Sequence, residues 1–169
     1  MADTSEQAVV LLDRLNQAAV ALLDPLIDPQ LASQPTLQAR RLGDALTACA
    51  QSAERAGVRG LNYLVTLAVP HLHKLSASAD WPRAREFLEI WVGDVVAFCA
   101  GHLAAADVDP LMSGLQDLPE FPAVPAQFIT LIRRRLAQDA DVIAALAASA
   151  MPASSPPGHS GDTDPGGVV

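Results

Sequence analysis

The chain has 169 residues and a formal net charge of −8, with half of its residues apolar and only 4% aromatic. That length holds one domain, and the apolar share is sufficient for a core built mainly from Leu, Val and Ala. The acidic balance repels phosphate backbones and anionic headgroups, which sets nucleic acid and anionic membrane aside as partners.

The first helix is expected from about Ser5 to Ile27. Thr4-x-x-Gln7 has the form of a capping box. Val9, Leu12, Asn16, Ala19, Leu23 and Leu26 follow a helical stripe that Leu11, Leu15 and Leu22 widen. Pro25 is expected to kink or fray the last turn, and Asp28-Pro29 to end it. A second helix opens at Pro35, suited to a first turn, and stops before Gly57. Its inward face is Leu42, Ala45, Leu46, Cys49 and Ala53, with Gln38, Arg41, Gln51, Glu54 and Arg55 on other faces.

The third helix starts at Val58–Leu61 and carries Leu61, Leu64, Val65, Ala68, Leu72 and Leu75. Pro70 lacks the N–H that would bond the residue-66 carbonyl, so the helix is expected to bend or break there. Asp80 is the candidate N-cap of a fourth helix reaching about Ala105, with Phe87, Trp91, Val95 and Phe98 on one face. Asp109-Pro110 opens a short fifth helix that ends by Pro119. An extended connector, Phe121–Pro125, leads into a sixth with Phe128, Leu131, Ile132, Leu136, Val142, Ile143 and Leu146 inward. From Met151 the chain turns Pro-, Ser- and Gly-rich, too polar to offset its ordering entropy.

The expectation is therefore an all-α protein: one bundle of about six helices over residues 1–150, its third helix broken near Pro70, and a disordered tail over 151–169. Removing everything after Ala150 should leave the melting temperature unchanged in a thermal scan. The opening Met1–Glu6 is polar and acidic, unlike a signal peptide. Gly60–His73, the most apolar stretch, is too short for a bilayer and contains Asn62, Thr66 and Pro70. The expected location is the cytoplasm, without membrane insertion.

Chemistry-bearing residues are sparse. Cys49 and Cys99 sit in apolar stretches and read first as small buried residues of a reducing compartment, with a disulfide or a reactive thiol as the second reading. His71 and His73 are two apart and point to different sides of a helix, and His102 is remote, so no metal or cofactor is expected. Arg133, Arg134 and Arg135 spread around a helix and make no basic stripe. Asp94, among apolar residues, reads as a stripe-edge carboxylate that reaches water or an Arg. Arg83, Arg85, Glu86 and Glu89 read as a solvated, ion-paired face.

His71-Leu72-His73-Lys74-Leu75-Ser76-Ala77 resembles the phosphorylation motif of histidine phosphotransfer domains, His-x-x-Lys-Gly-Ser/Ala-Ser/Ala. His71, Lys74, Ser76 and Ala77 match, while Leu75 replaces the Gly and Pro70 precedes the His. The resemblance implies an imidazole nucleophile at His71 and a charge-neutralising Lys74 one turn on. The plainer alternative is a partly exposed helix end with two solvated histidines.

A wider likeness covers about residues 40 to 145. Ala56-Gly57-Val58-Arg59-Gly60-Leu61-x-x-Leu64, Trp91-Val92-x-x-Val95-Val96-Ala97-Phe98 and Leu111-x-x-x-Leu115-Gln116-Asp117-x-Pro119-x-Phe121-Pro122 carry it. Together they resemble an N-terminal helical segment of chemotaxis-type hybrid histidine kinases of type IV pilus chemosensory systems. The resemblance implies a non-catalytic, all-α interaction module in a bacterial two-component pathway, with a histidine kinase or response regulator as partner. A phosphotransfer protein using His71 and an oligomeric helical structural protein are the two alternatives.

Overall fold

The computed structural model describes residues 4–150, and all regular structure within them is helical. In chain order the helices are α1 (Thr4–Val20), α2 (Asp24–Ile27), α3 (Pro35–Arg55), α4 (Gly60–Ser76), α5 (Trp81–Cys99), α6 (Asp109–Gln116) and α7 (Ala126–Ala150). α2 is a single turn continuing α1 through a 3-10 turn at Ala21–Leu23, which leaves six helices of two turns or more. The tail expected from Met151 lies outside the described residues. No helix among the described residues is long and apolar enough to cross a membrane.

Local chemistry explains most of the boundaries. Pro25 lies in the first turn of α2, where its missing N–H leaves no bond unmade, so the helix changes pitch and then resumes. α3 ends when Gly57 adopts φ +86°. The Val58 amide then bonds the Ala53 carbonyl at 2.8 Å, and the Gly57 amide bonds Glu54 at 3.0 Å. α5 ends the same way at Gly101, φ +80°, with His102 bonding Ala97 and Gly101 bonding Phe98. In both, a left-handed glycine lets the chain satisfy carbonyls that the helix end leaves open. α5 therefore stops at Cys99, earlier than the expected Ala105. Asp80 makes no side-chain cap on α5, and Ser78 Oγ instead accepts the Asp80 amide at 3.0 Å.

The expected break at Pro70 is corrected: α4 is one helix from Gly60 to Ser76 and runs through the proline. Pro70 and Thr66 both lie on the exposed face, so the carbonyl that loses its bond faces solvent. Leu64, Ala68, Leu72 and Leu75 are buried on both sides of the proline and hold the two halves against the same core.

α1 lies against α3, α5 and α7, α4 packs on α3 and α7, and α6 lies against α5. Trp91 and Phe98 are the largest fully buried side chains, as expected of packing anchors. Trp91 donates its indole N–H to the Leu111 carbonyl at 2.7 Å, tying α5 to α6. Gln38, expected on an outer face, is fully buried. Its amide donates to the Pro25 carbonyl at 2.8 Å, and its oxygen accepts the Trp81 indole N–H at 3.0 Å. A buried amide without those two partners would be costly, and with them it ties α2, α3 and α5 together. On α7, Ile132, Leu136 and Ile143 face inward, but Phe128 and Leu131 are exposed, contrary to expectation. Leu15 and Ala19 of α1, and Leu22 in the 3-10 turn that follows it, are buried while Val9 is exposed, so the helix turns the wider edge of its apolar stripe to the core.

Candidate functional site

His71 sits in the second half of α4, where the 3.6-residue period puts it on the face that carries Leu64, Ala68 and Leu75. It is only 5% exposed. Its Nε2 lies 2.7 Å from the Pro119 carbonyl oxygen. A carbonyl only accepts, so Nε2 carries the proton and donates it. The ring also meets Phe121 edge to face, centroids 5.1 Å apart and planes at 81°. The segment after α6 supplies both partners by turning sharply at Glu120, whose φ is +55°. His73 and Lys74, two and three positions on, are exposed. The reading of two solvated histidines is therefore corrected for His71, which closes the seam between α4 and the connector to α7. As placed, its Nε2 offers no free lone pair to an incoming phosphoryl group.

The buried carboxylate of this fold is Asp139 on α7, not Asp94, which is half-buried on α5. Asp139 accepts the Arg59 amide at 3.4 Å and the Gly60 amide, both at the N-terminus of α4. Arg135, one turn before it, approaches to 3.7 Å through Nε. α4 has no capping side chain of its own, so a residue 79 positions away performs that task. Gly60 is required for the approach, because a Cβ there would lie 2.3 Å from Asp139 Oδ2. Sequence reasoning missed Asp139. The available signals were a helix start without a Ser, Thr, Asp or Asn cap, and the i, i+4 pair Arg135 and Asp139.

Burial raises the Asp139 carboxyl above its ordinary value, against the pull of the Gly60 and Arg59 amides and the Arg135 charge. A carboxyl raised on folding binds its proton more tightly folded than unfolded. The ionised form then costs stability above the folded pKa, and the cost is relieved as pH falls toward the ordinary value of 3.8. The stability difference between the wild type and Asp139→Asn should therefore widen, in favour of the wild type, as pH falls through the window just above 3.8. Urea denaturation at stepped pH measures it, and a narrowing difference would show that the amide bonds outweigh burial.

Among the described residues no group of three or more His, Cys, Asp or Glu is placed to hold a metal ion. The Arg83, Arg85, Glu86 and Glu89 face is solvated, with Arg85 Nε 3.9 Å from Glu89 and Arg83 lying 5.8 Å over the Phe87 ring. Arg133 pairs with Asp109 of α6 at 3.2 Å.

One surface feature was not legible in the sequence. Tyr63 of α4 and Phe128 of α7 meet edge to face, centroids 6.4 Å apart at 88°. Both remain open to solvent, at 38% and 39% exposure, and Leu131, one turn after Phe128, is 47% exposed. These residues form an apolar ridge where α4 and α7 meet.

No family model, curated protein or solved structure matches the chain.

Proposed function

We propose that this protein is a non-catalytic helical interaction module that binds a protein partner in a bacterial chemosensory or two-component pathway. The observation that carries the binding role is the solvent-facing ridge of Tyr63, Phe128 and Leu131. Aromatic side chains held rigid by a neighbour lose little freedom on binding and bring much apolar area, which is why they concentrate in protein interfaces. The pathway is supported by the resemblance of residues 40 to 145 to the kinase-associated helical segment. The partner on this reading is a histidine kinase or a response regulator, met in the cytoplasm.

The sealed position of His71 favours this reading over phosphotransfer. For phosphotransfer the ring would have to leave Pro119 and Phe121, exposing the seam that it closes. One set of measurements separates the readings. Titrating the protein with the kinases and receivers encoded beside it, by calorimetry, should reveal a complex that Phe128→Asp weakens at least tenfold while the helical circular dichroism is unchanged. A complex indifferent to Phe128→Asp and Leu131→Asp would sink the ridge as its site. Transfer of label from a phosphorylated receiver, abolished by His71→Gln, would replace the proposal with phosphotransfer. A dimer by light scattering that Phe128→Asp dissociates would assign the ridge to self-association instead.

A further inference from the structure

Exposed apolar side chains gather in two places on this bundle, and the charges beside them differ in sign. On the outer face of α1, Val9, Val10 and Val20 stay open to solvent beside Glu6 and Asp13. The ridge of Tyr63, Phe128 and Leu131 has a basic border instead. Arg59, exposed, opens α4 one turn before Tyr63. Arg134 and Arg135 follow Leu131 by three and four positions, the spacing of neighbours on a helix surface. Among the described residues Arg59 and Arg134 form no ion pair, and Arg135 meets Asp139 through Nε at 3.7 Å. α4 contains no Asp or Glu. The acids of α7 are Asp139, buried under the start of α4, and Asp141. Asp141 is ten positions past Leu131 and about 80° round the helix from it. At the other end of the α4 flank, exposed Lys74 and Glu120 of the connector offset each other in charge. The arginine end is therefore the charged part of the ridge's border.

Taking the ridge as the binding surface, as in the reading above, we propose that its occupant is an amphipathic helix whose apolar stripe is bordered by Asp and Glu. Two packed helices that share an apolar flank accept a third across them, the side chains of one filling the grooves of the other. Phe128 and Leu131 stand one turn apart, which suits a partner stripe at i, i+3, i+4 and i+7. Arg59 and Arg134 then meet carboxylates at the edge of that stripe. An arginine fork grips a carboxylate through two parallel N–H donors. The net charge of −8 does not cancel this attraction. At physiological salt, screening acts over about 8 Å, so a helix lying on the ridge meets the local arginines rather than the acids elsewhere on the surface. A bilayer presents a broad plane of negative charge and would also meet Glu120 and Asp141, whereas a helix about 10 Å wide covers the ridge alone. The outer face of α1 carries its own acids and repels the same helix, which makes it the internal control.

The test uses the folded full chain and two helical peptides, read by fluorescence anisotropy. Both peptides carry Leu and Phe at i, i+3, i+4 and i+7. One has Glu at the bordering positions and the other has Lys there. The Glu peptide should bind at least about tenfold more tightly than the Lys peptide, and raising the salt should weaken it. Phe128→Ala and Arg134→Glu should each weaken the Glu peptide at least about fivefold, while Val10→Asp on α1 should leave it unchanged. Circular dichroism checks that each variant is folded, and the salt dependence needs no variant at all. Equal or tighter binding of the Lys peptide, or Glu-peptide binding that salt strengthens, overturns the acidic partner. If both peptides are then lost in Phe128→Ala, the ridge still stands as the surface. Glu-peptide binding that survives Phe128→Ala, or that Val10→Asp removes, sinks the ridge itself. No binding by either peptide overturns a helix of this chemistry as the occupant. Sedimentation with phosphatidylglycerol vesicles, lost in Phe128→Ala, would put a lipid surface in its place.

Discussion

Trp91→Ala should destabilise the protein by about 3–5 kcal/mol, the range for deleting a fully buried aromatic side chain. Trp91 is 1% exposed and sits where α5 meets α6. Two costs add. The first is the cavity left by the indole, which neighbours cannot refill easily: Gly114 already stands so close that a Cβ there would lie 3.0 Å from Trp91 Cδ1. The second is the Leu111 carbonyl, which loses the indole N–H that it accepts at 2.7 Å. Trp91→Phe separates the two, since it keeps much of the volume and removes the donor. It should cost about 1–3 kcal/mol, the penalty for an unsatisfied buried acceptor. Guanidinium denaturation measures both variants. A loss below about 1 kcal/mol for Trp91→Ala, far under the burial estimate, would remove α5 from the core. Phe98→Ala, one face along, is expected to fall in the same range as Trp91→Ala.

The second large effect sits at the start of α4. By helix propensity alone, Gly60→Ala should stabilise by about 1 kcal/mol. The opposite sign is expected here. The new Cβ would lie 2.3 Å from Asp139 Oδ2 and 2.9 Å from Leu136 Cδ2. Asp139 must then withdraw from the Gly60 and Arg59 amides, and buried charge-assisted bonds of this kind are worth about 1.5–3 kcal/mol. Crowding against Leu136 adds about 1–3 kcal/mol. After the propensity gain is subtracted, a net loss of about 1.5–5 kcal/mol is expected by thermal or chemical denaturation. Gly93→Ala is the control. A Cβ there meets nothing within 4 Å, on an exposed face of α5. It should raise stability by about 0.5–1 kcal/mol. If both substitutions stabilise, Asp139 does not hold the N-terminus of α4.

These two sites show how differently the parts of the molecule were written in the chain. Helix positions were legible because their determinants are local. Pro35, Pro82 and Pro110 stand in first turns, where the missing N–H leaves no bond unmade, and Gly57 supplies the left-handed residue that ends α3; Gly101 ends α5 in the same way, although the expected end was Ala105. The Leu and Ala stripes declared the all-α class for the same reason, since a period of 3.6 is a property of neighbours a few positions apart.

The candidate sites were not legible, because each depends on residues far apart in the chain. Nothing near Gln38 says that Pro25 and Trp81 will satisfy its amide, so it looked like an outer-face residue. His71 looked solvated because its partners, Pro119 and Phe121, flank a turn some fifty positions later. Phe128 and Leu131 lie on the α7 stripe, and the packing of α7 in the bundle leaves them outside with Tyr63.

By itself, then, the amino-acid order determined where most of the helices start and stop, though not the continuity of α4 through Pro70 or the end of α5, and which broad stripe of each is apolar, since these follow from backbone chemistry within one or two turns. The tertiary structure decided which edge of each stripe is buried, which polar groups go in with it, and that Asp139 meets Gly60. A helix with an apolar face wider than one partner can cover has several acceptable rotations. Only simultaneous packing against several neighbours, with every buried polar group satisfied, selects one of them.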